Sequence, residues 1–159
     1  MSTNALEGTV RGRLNDLNIQ LPRVSAPLAS YAPAVRTGNL VFTSGQLPLV
    51  DGKLESIGKL GDGISADLGY ELARTSALNA LAAVAELLDL DSIARIVKVV
   101  GFVASAPGFT GQPGVINGAS DVLGLIFGDQ GVHARSAVGV AELPLGSPVE
   151  VEIVVEVRC

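Results

Sequence analysis

The end of the chain constrains the fold most. Val149, Val151, Ile153, Val155 and Val157 alternate with Glu150, Glu152, Val154 and Glu156. A period of two puts every aliphatic residue of the first set on one face of a β-strand and the glutamates with Val154 on the other. A strand with one greasy and one acidic face belongs in a sheet covered by an apolar layer on one side, so the chain must fold in layers. Before the turn LPLGSP, the stretch SAVGVAEL reads as another strand, with Val138 and Val140 alternating with Ala137, Gly139 and Ala141.

The covering layer is also legible. From Ser65 to Asp89, Leu68, Leu72, Leu78, Leu81, Val84 and Leu88 fall at helical spacings in a run rich in Ala, Leu, Glu and Arg, which predicts a long helix. Residues 112–127 carry Val115, Ile116, Ala119, Leu123 and Ile126 at spacings suited to a second helix, with Pro113 in its first turn and Gly114, Gly118 and Gly124 weakening it. Between them Ile93–Ala104 is β-branched and reads as a mostly buried strand, with Gly101 taken as a point of close packing. Upstream, residues 39–44 and 46–50 read as two strands before the turn pair Asp51-Gly52. Pro22, Pro27 and Pro33 make an extended lead-in. Leu6, Val10, Leu14 and Leu17 predict a short helix over 4–17 capped by Ser2 or Thr3.

The order is ββαβαββ, an α+β fold whose mixed sheet carries two helices on one face. The other face presents either Ala137, Gly139 and Ala141 or the glutamate row, depending on register. An uncovered sheet face of this size is usually buried by another subunit, which predicts a homo-oligomer. Residues 1–30 form an accessory helix and lead-in, and 31–159 form the main domain.

Composition excludes several functions. With 159 residues and 48% hydrophobic content, the chain can bury a core without staples. A net charge of -5 and a pI near 4.7 oppose a phosphate backbone, and Lys53, Lys59 and Lys98 form no basic run. No apolar run reaches membrane-spanning length and no leader pattern opens the chain, so it reads as cytoplasmic. One Cys and one His cannot build a Cys/His metal cluster in one subunit, and neither GxxxxGK[ST] nor GxGxxG occurs in strand-to-helix context, so no metal or nucleotide cofactor is expected. The single thiol, Cys159, sits at the terminus and reads as exposed.

The chemistry-bearing residues are Arg135 at the entrance of one strand and Glu150 and Glu152 in the next. A guanidinium fork binds a carboxylate through two parallel hydrogen bonds, and a nearby carboxylate can orient or deprotonate water. From spacing alone the plainer reading is a surface ion pair.

The stretch Ala134-Arg135-Ser136, Val138, Val140, Ala141, Leu143-Pro144 and Val149-Glu150-Val151-Glu152 resembles the C-terminal signature of the RidA/YjgF/UK114 family, also called L-PSP endoribonucleases. Tyr31, Gly38-Asn39, Thr43-Ser44-Gly45-Gln46 and Pro48 resemble its first-strand motif, and the likeness spans roughly residues 30–158. It implies a chorismate-mutase-like fold assembled as a homotrimeric barrel with sites in intersubunit clefts. It also implies hydrolysis of reactive 2-imino or enamino acids to 2-keto acids and ammonia without a cofactor. In that picture Arg135 holds the substrate carboxylate and Glu150 activates water, with Glu152 as its rival on the same face. Tyr31 lines the cleft, Ser44 hydrogen-bonds substrate or water, and Asn117 matches a site asparagine. His133, which the family pattern does not supply, reads either as a ligand contact or as a loop histidine without function. Two features depart from the family pattern: Ala137 stands where many members have Cys, and His133 where an apolar residue is common. A non-catalytic carboxylate-binding trimer and an endoribonuclease are the competing readings, the second opposed by the acidic charge.

Overall fold

The computed structural model describes residues 8–27 and 29–159. In chain order its elements begin with helix α1 (Val10–Asp16) and strands β1 (Ala34–Thr37), β2 (Leu40–Thr43), β3 (Leu49–Val50), β4 (Lys53–Leu54), β5 (Lys59–Leu60) and β6 (Gly63–Ile64). Helix α2 (Ala66–Ala85), strand β7 (Ile93–Ala104), helix α3 (Gln112–Phe127) and strands β8 (Ala134–Val140) and β9 (Val149–Val157) follow. Five strands form one mixed sheet in the order β1-β2-β9-β7-β8, in which only β7 and β8 are parallel. A parallel neighbour requires a crossover, and α3 supplies it. The pairs β3–β4 and β5–β6 are two-stranded ribbons. With these set aside, the main elements after α1 run ββαβαββ.

The period-two pattern of β9 is realised residue by residue. Val149, Val151, Ile153 and Val155 are at most 1% exposed and lie against α2 and α3, as do Val99 and Val103 of β7. Ser65 caps α2 by accepting from Leu68 N, and Pro113 occupies the first turn of α3, where a missing N–H costs nothing. Small residues let the layers close. A methyl on Gly101 would collide with three side-chain carbons of Ile116, which confirms close packing at that glycine.

Register also decides which row faces outward. Val100 pairs with Glu152 and Phe102 with Glu150, so the glutamate row lies on the open face. Ala137 and Gly139 pair with Gly101 and Val103 and therefore face the helices. The open face is not all charge: Phe42 and Val138, each 44% exposed, stand on it with Val35, Val100, Phe102 and Val154.

Two local expectations are corrected. The first helix starts at Val10 with Thr9 as its cap, accepting from Gly12 N at 2.9 Å; Ser2, Thr3 and Leu6 lie outside the described residues. The first strand pair is β1–β2, turning at Gly38-Asn39, whereas residues 46–50 contribute only Leu49–Val50. Asp51-Gly52 does close a hairpin, with both residues at positive φ (50° and 77°), but it joins Leu49–Val50 to Lys53–Leu54. Among the described residues no helix is long and apolar enough to cross a membrane.

Candidate functional site

Arg135 lies on the helix-facing side of β8, and α3 holds its guanidinium. Nη1 donates to Asn117 Oδ1 at 2.8 Å and to Ser120 Oγ at 3.2 Å, and Nη2 donates to the Pro113 carbonyl at 3.3 Å. Asn117 and Ser120 are three residues apart on α3 and so face the same neighbour. Three of the five N–H groups are thus engaged. Nε–H and one Nη2 proton remain without a partner among the described residues, and together they can receive one carboxylate as a fork. His133 adjoins this group with both ring nitrogens occupied: Nε2 lies 2.9 Å from Ser120 Oγ and Nδ1 lies 2.6 Å from the Gly131 carbonyl.

Glu150 stands on the other face of the sheet, packed over Gly45. A Cβ on Gly45 would collide with the carboxylate, coming within 2.8 Å of its Cδ. Among the described residues no hydrogen-bond donor reaches this carboxylate. Burial, and secondarily the charge of Glu152, raises its pKa above the ordinary glutamate value. A half-buried, undonated carboxylate with a raised pKa is a better proton acceptor than an ordinary glutamate. Glu150, Gln46, Tyr31 and Pro144 line a recess of about 90 Å³, with Ser25–Pro27 of the lead-in on another wall.

The backbone around this recess is held firmly. Gln46 exchanges both backbone hydrogen bonds with Val151, at 2.8 and 3.0 Å. The Asn79 amide, buried in α2, donates to the carbonyls of Leu47 and Leu49 at 2.9 and 3.1 Å. Ser44 donates its hydroxyl proton to the Ala32 carbonyl at 2.6 Å, tying the lead-in to the end of β2 and leaving the oxygen able to accept.

Within one chain the residues form two half-sites. Arg135 pairs with Val99 on the helix side, and Glu150 pairs with Phe102 on the open side, so the two do not meet. Asn117 joins Arg135 and Tyr31 joins Glu150. Ser120, Asn79 and Gly45's packing role went unread in the sequence. Ser120 could have been found from its helical spacing to Asn117, whereas the bonds of Asn79 cross 30 or more residues and leave no local signal.

A family model described as "YjgF/chorismate_mutase-like, putative endoribonuclease" matches residues 11–157. Protein TCP17 of Trypanosoma cruzi is 43% identical over 153 residues, covering 95% of this chain and 96% of its own length. The crystal structure of Atu1372 from Agrobacterium tumefaciens, a protein of unknown function, is similar with a TM-score of 0.87 at 41% identity over 94% of this chain and 92% of that one. TdcF of E. coli, solved with bound serine, is similar at a TM-score of 0.59 and 27% identity over 86% of this chain and 94% of its own. The family match runs from the first helix to the last strand, through both half-sites, and the chain accordingly belongs to the RidA/YjgF family.

Proposed function

We propose that the protein hydrolyses small 2-imino or enamino acids to 2-keto acids and ammonia. The observation that carries this reading is the complementarity of the half-sites: a held guanidinium with its fork free, and an undonated carboxylate of raised pKa. They lie on opposite sides of one sheet, so a second copy must unite them. The exposed Phe42 and Val138 on the open face favour such a copy, and the homotrimer of the family resemblance supplies the arrangement, with Arg135 beside the partner subunit's Glu150. TdcF with bound serine supports a small carboxylate-bearing ligand.

Arg135 receives the substrate carboxylate and thereby fixes C2. Glu150 accepts a proton from water as its oxygen attacks C2 of the C=N bond, and passes that proton to the imine nitrogen. In the resulting carbinolamine the hydroxyl proton moves, again by way of Glu150, to the amino nitrogen as the C–N bond breaks, so that ammonia leaves and the 2-keto acid remains. The chain's own residues supply both binding and proton transfer. Tyr31 covers the recess, Ser44 offers its oxygen to the substrate amine or water, and Ala137 withholds any thiol.

The test is imine decay. An amino-acid oxidase generates 2-iminopropanoate and its longer homologues, semicarbazide traps them, and purified protein should diminish trapping. Arg135→Ala should lose both binding and turnover, and Glu150→Gln should retain binding and lose turnover. No effect of wild type across the series refutes the deaminase. Turnover undiminished in Glu150→Gln refutes the role of that carboxylate. A carboxylate-binding module is the second reading, favoured by the completeness of the Arg135 half-site without Glu150; it predicts 2-keto acid binding with no turnover in wild type.

A further inference from the structure

Arg135 can act as a fork only if its guanidinium plane is fixed, and the structure shows what fixes it. The Gly131 carbonyl can only accept, so Nδ1 of His133, 2.6 Å away, carries the ring proton. In the neutral ring Nε2 is then an acceptor, and the group that faces it at 2.9 Å is the Ser120 hydroxyl. Ser120 therefore spends its proton on His133 and turns its lone pairs toward Arg135 Nη1 at 3.2 Å. Without an acceptor at Nε2, the Ser120 hydroxyl is free to rotate and bond back to its own helix, as serines in helices commonly do. Its lone pairs would then turn with it, away from the Arg135 Nη1 whose proton they accept.

We infer that Ser120 and His133 are positioning residues for the carboxylate fork, acting in series: Gly131 sets the His133 tautomer, His133 sets the direction of the Ser120 hydroxyl, and Ser120, together with Asn117 and the Pro113 carbonyl, fixes the plane of Arg135. This rests on reading Arg135 as the carboxylate fork. It replaces the expectation that His133 touches the ligand, because both of its nitrogens already have partners within the chain. The relay is specific in its chemistry, since it needs an acceptor where Nε2 stands and a hydroxyl at position 120.

Two variants of His133 separate positioning from mere packing. His133→Asn keeps a donor near the Nδ1 position and loses the acceptor for Ser120. His133→Gln reaches further and places an amide oxygen where Nε2 was. Ser120→Ala removes the middle of the relay, and Ser120→Thr keeps the hydroxyl. Calorimetry with 2-oxobutanoate should show Ser120→Ala and His133→Asn weakened roughly tenfold, the scale of one hydrogen bond to a charged group. His133→Gln and Ser120→Thr should be rescued to near wild type. Binding of the uncharged analogue 2-oxobutanamide should not change across the set, because it makes no charged demand on the fork.

A second measurement is independent of any ligand. Proton–nitrogen spectra of the ligand-free protein should show His133 protonated at Nδ1 and the Arg135 Nη groups in slow rotation. That rotation should become fast in Ser120→Ala and His133→Asn and stay slow in His133→Gln. Unchanged guanidinium signals in Ser120→Ala and His133→Asn overturn the inference whatever the calorimetry shows, as does loss of affinity that His133→Gln fails to rescue. If the guanidinium signals respond as expected while wild type binds no 2-oxobutanoate, the relay stands and the functional reading of the site falls.

Discussion

Replacing Gly118 by Ala tests the contact on which the helical layer depends. A Cβ at Gly118 would lie 2.8 Å from the carbonyl carbon of Tyr70 and 3.2 Å from Arg74 N, with the Tyr70 oxygen closer still. Favourable carbon contacts begin near ~3.5 Å, so the α2 backbone would have to retreat by close to ~1 Å. It has nowhere to go, because Ala73, Ala77, Val115 and Ala119 are fully buried around the same seam. Overpacking costs about 1–3 kcal/mol, and the upper end applies where the obstacle is backbone that cannot rotate aside. The intrinsic helical gain of Ala over Gly offsets about 1 kcal/mol of that. The net is about 2 kcal/mol of destabilisation, which for a domain of this size lowers Tm by about 4–8 °C. Gly124→Ala is the control on the same helix, since nothing lies within 4 Å of its added methyl. It should raise stability by about 0.5–1 kcal/mol. Thermal melts of both variants at one protomer concentration decide the matter. A Gly118→Ala protein melting at or above the Gly124→Ala protein would refute the α2–α3 approach described above.

Gly45→Ala should abolish imine turnover as Glu150→Gln does, because its methyl lands on the Glu150 carboxylate while the position has no positive φ to strain; turnover at the wild-type rate in the trapping assay would contradict the packing. Glu150 also makes stability depend on pH with a definite sign. Its folded pKa is raised, by burial first and Glu152 second, so the folded chain binds the extra proton between the unfolded and folded values. Stability contributed by this group therefore falls as pH rises through that window. Glu150→Gln should be more stable than wild type at neutral pH and lose that advantage below the ordinary carboxylate range, as read by urea titrations at several pH values. Asn79→Leu leaves the carbonyls of Leu47 and Leu49 without their donor, and should cost about 2–3 kcal/mol. Hydrogen exchange at residues 46–50 should speed up more than elsewhere, and a uniform change would mean that Asn79 serves the whole core rather than the recess wall.

The elements that could be read from sequence are those with a long one-sided pattern. Ile93–Ala104, Gln112–Phe127 and Val149–Val157 occur with the expected bounds because each buries a regular stripe or a β-branched run. Strand β1 offered no such pattern: of its four residues only Ala34 is buried, and Pro33 before it reads as a loop. Its partner turn, Gly38-Asn39, looks like any polar bend until β2 is known to return along it. The glycines of α3 mislead for a related reason. Sequence counts Gly118 against a helix, because the backbone that needs its missing side chain, at Tyr70, comes from a different helix.

The site was legible as a set of residues and not as a place. Arg135 and Glu150 are 15 positions apart, in consecutive strands with a turn between them, and proximity in sequence suggests one cluster. The sheet says otherwise, for reasons of parity that need the topology. Strand β8 is parallel to β7 and pairs Arg135 with Val99, whereas β9 is antiparallel to β7 and pairs Glu150 with Phe102. Val99 and Phe102 are an odd number of residues apart on a strand of period two, so they point to opposite faces, and their partners follow them. No side-chain rotation brings a guanidinium on the helix side to a carboxylate on the open side of the same sheet. The motif that reads as one pair in the sequence is split between the two faces of the sheet, and in the proposed function a second copy unites its halves. A variant lacking only Arg135 and one lacking only Glu150 should then restore part of each other's activity when their protomers are mixed and reassembled. Complementation of that kind is impossible if both groups act within a single chain.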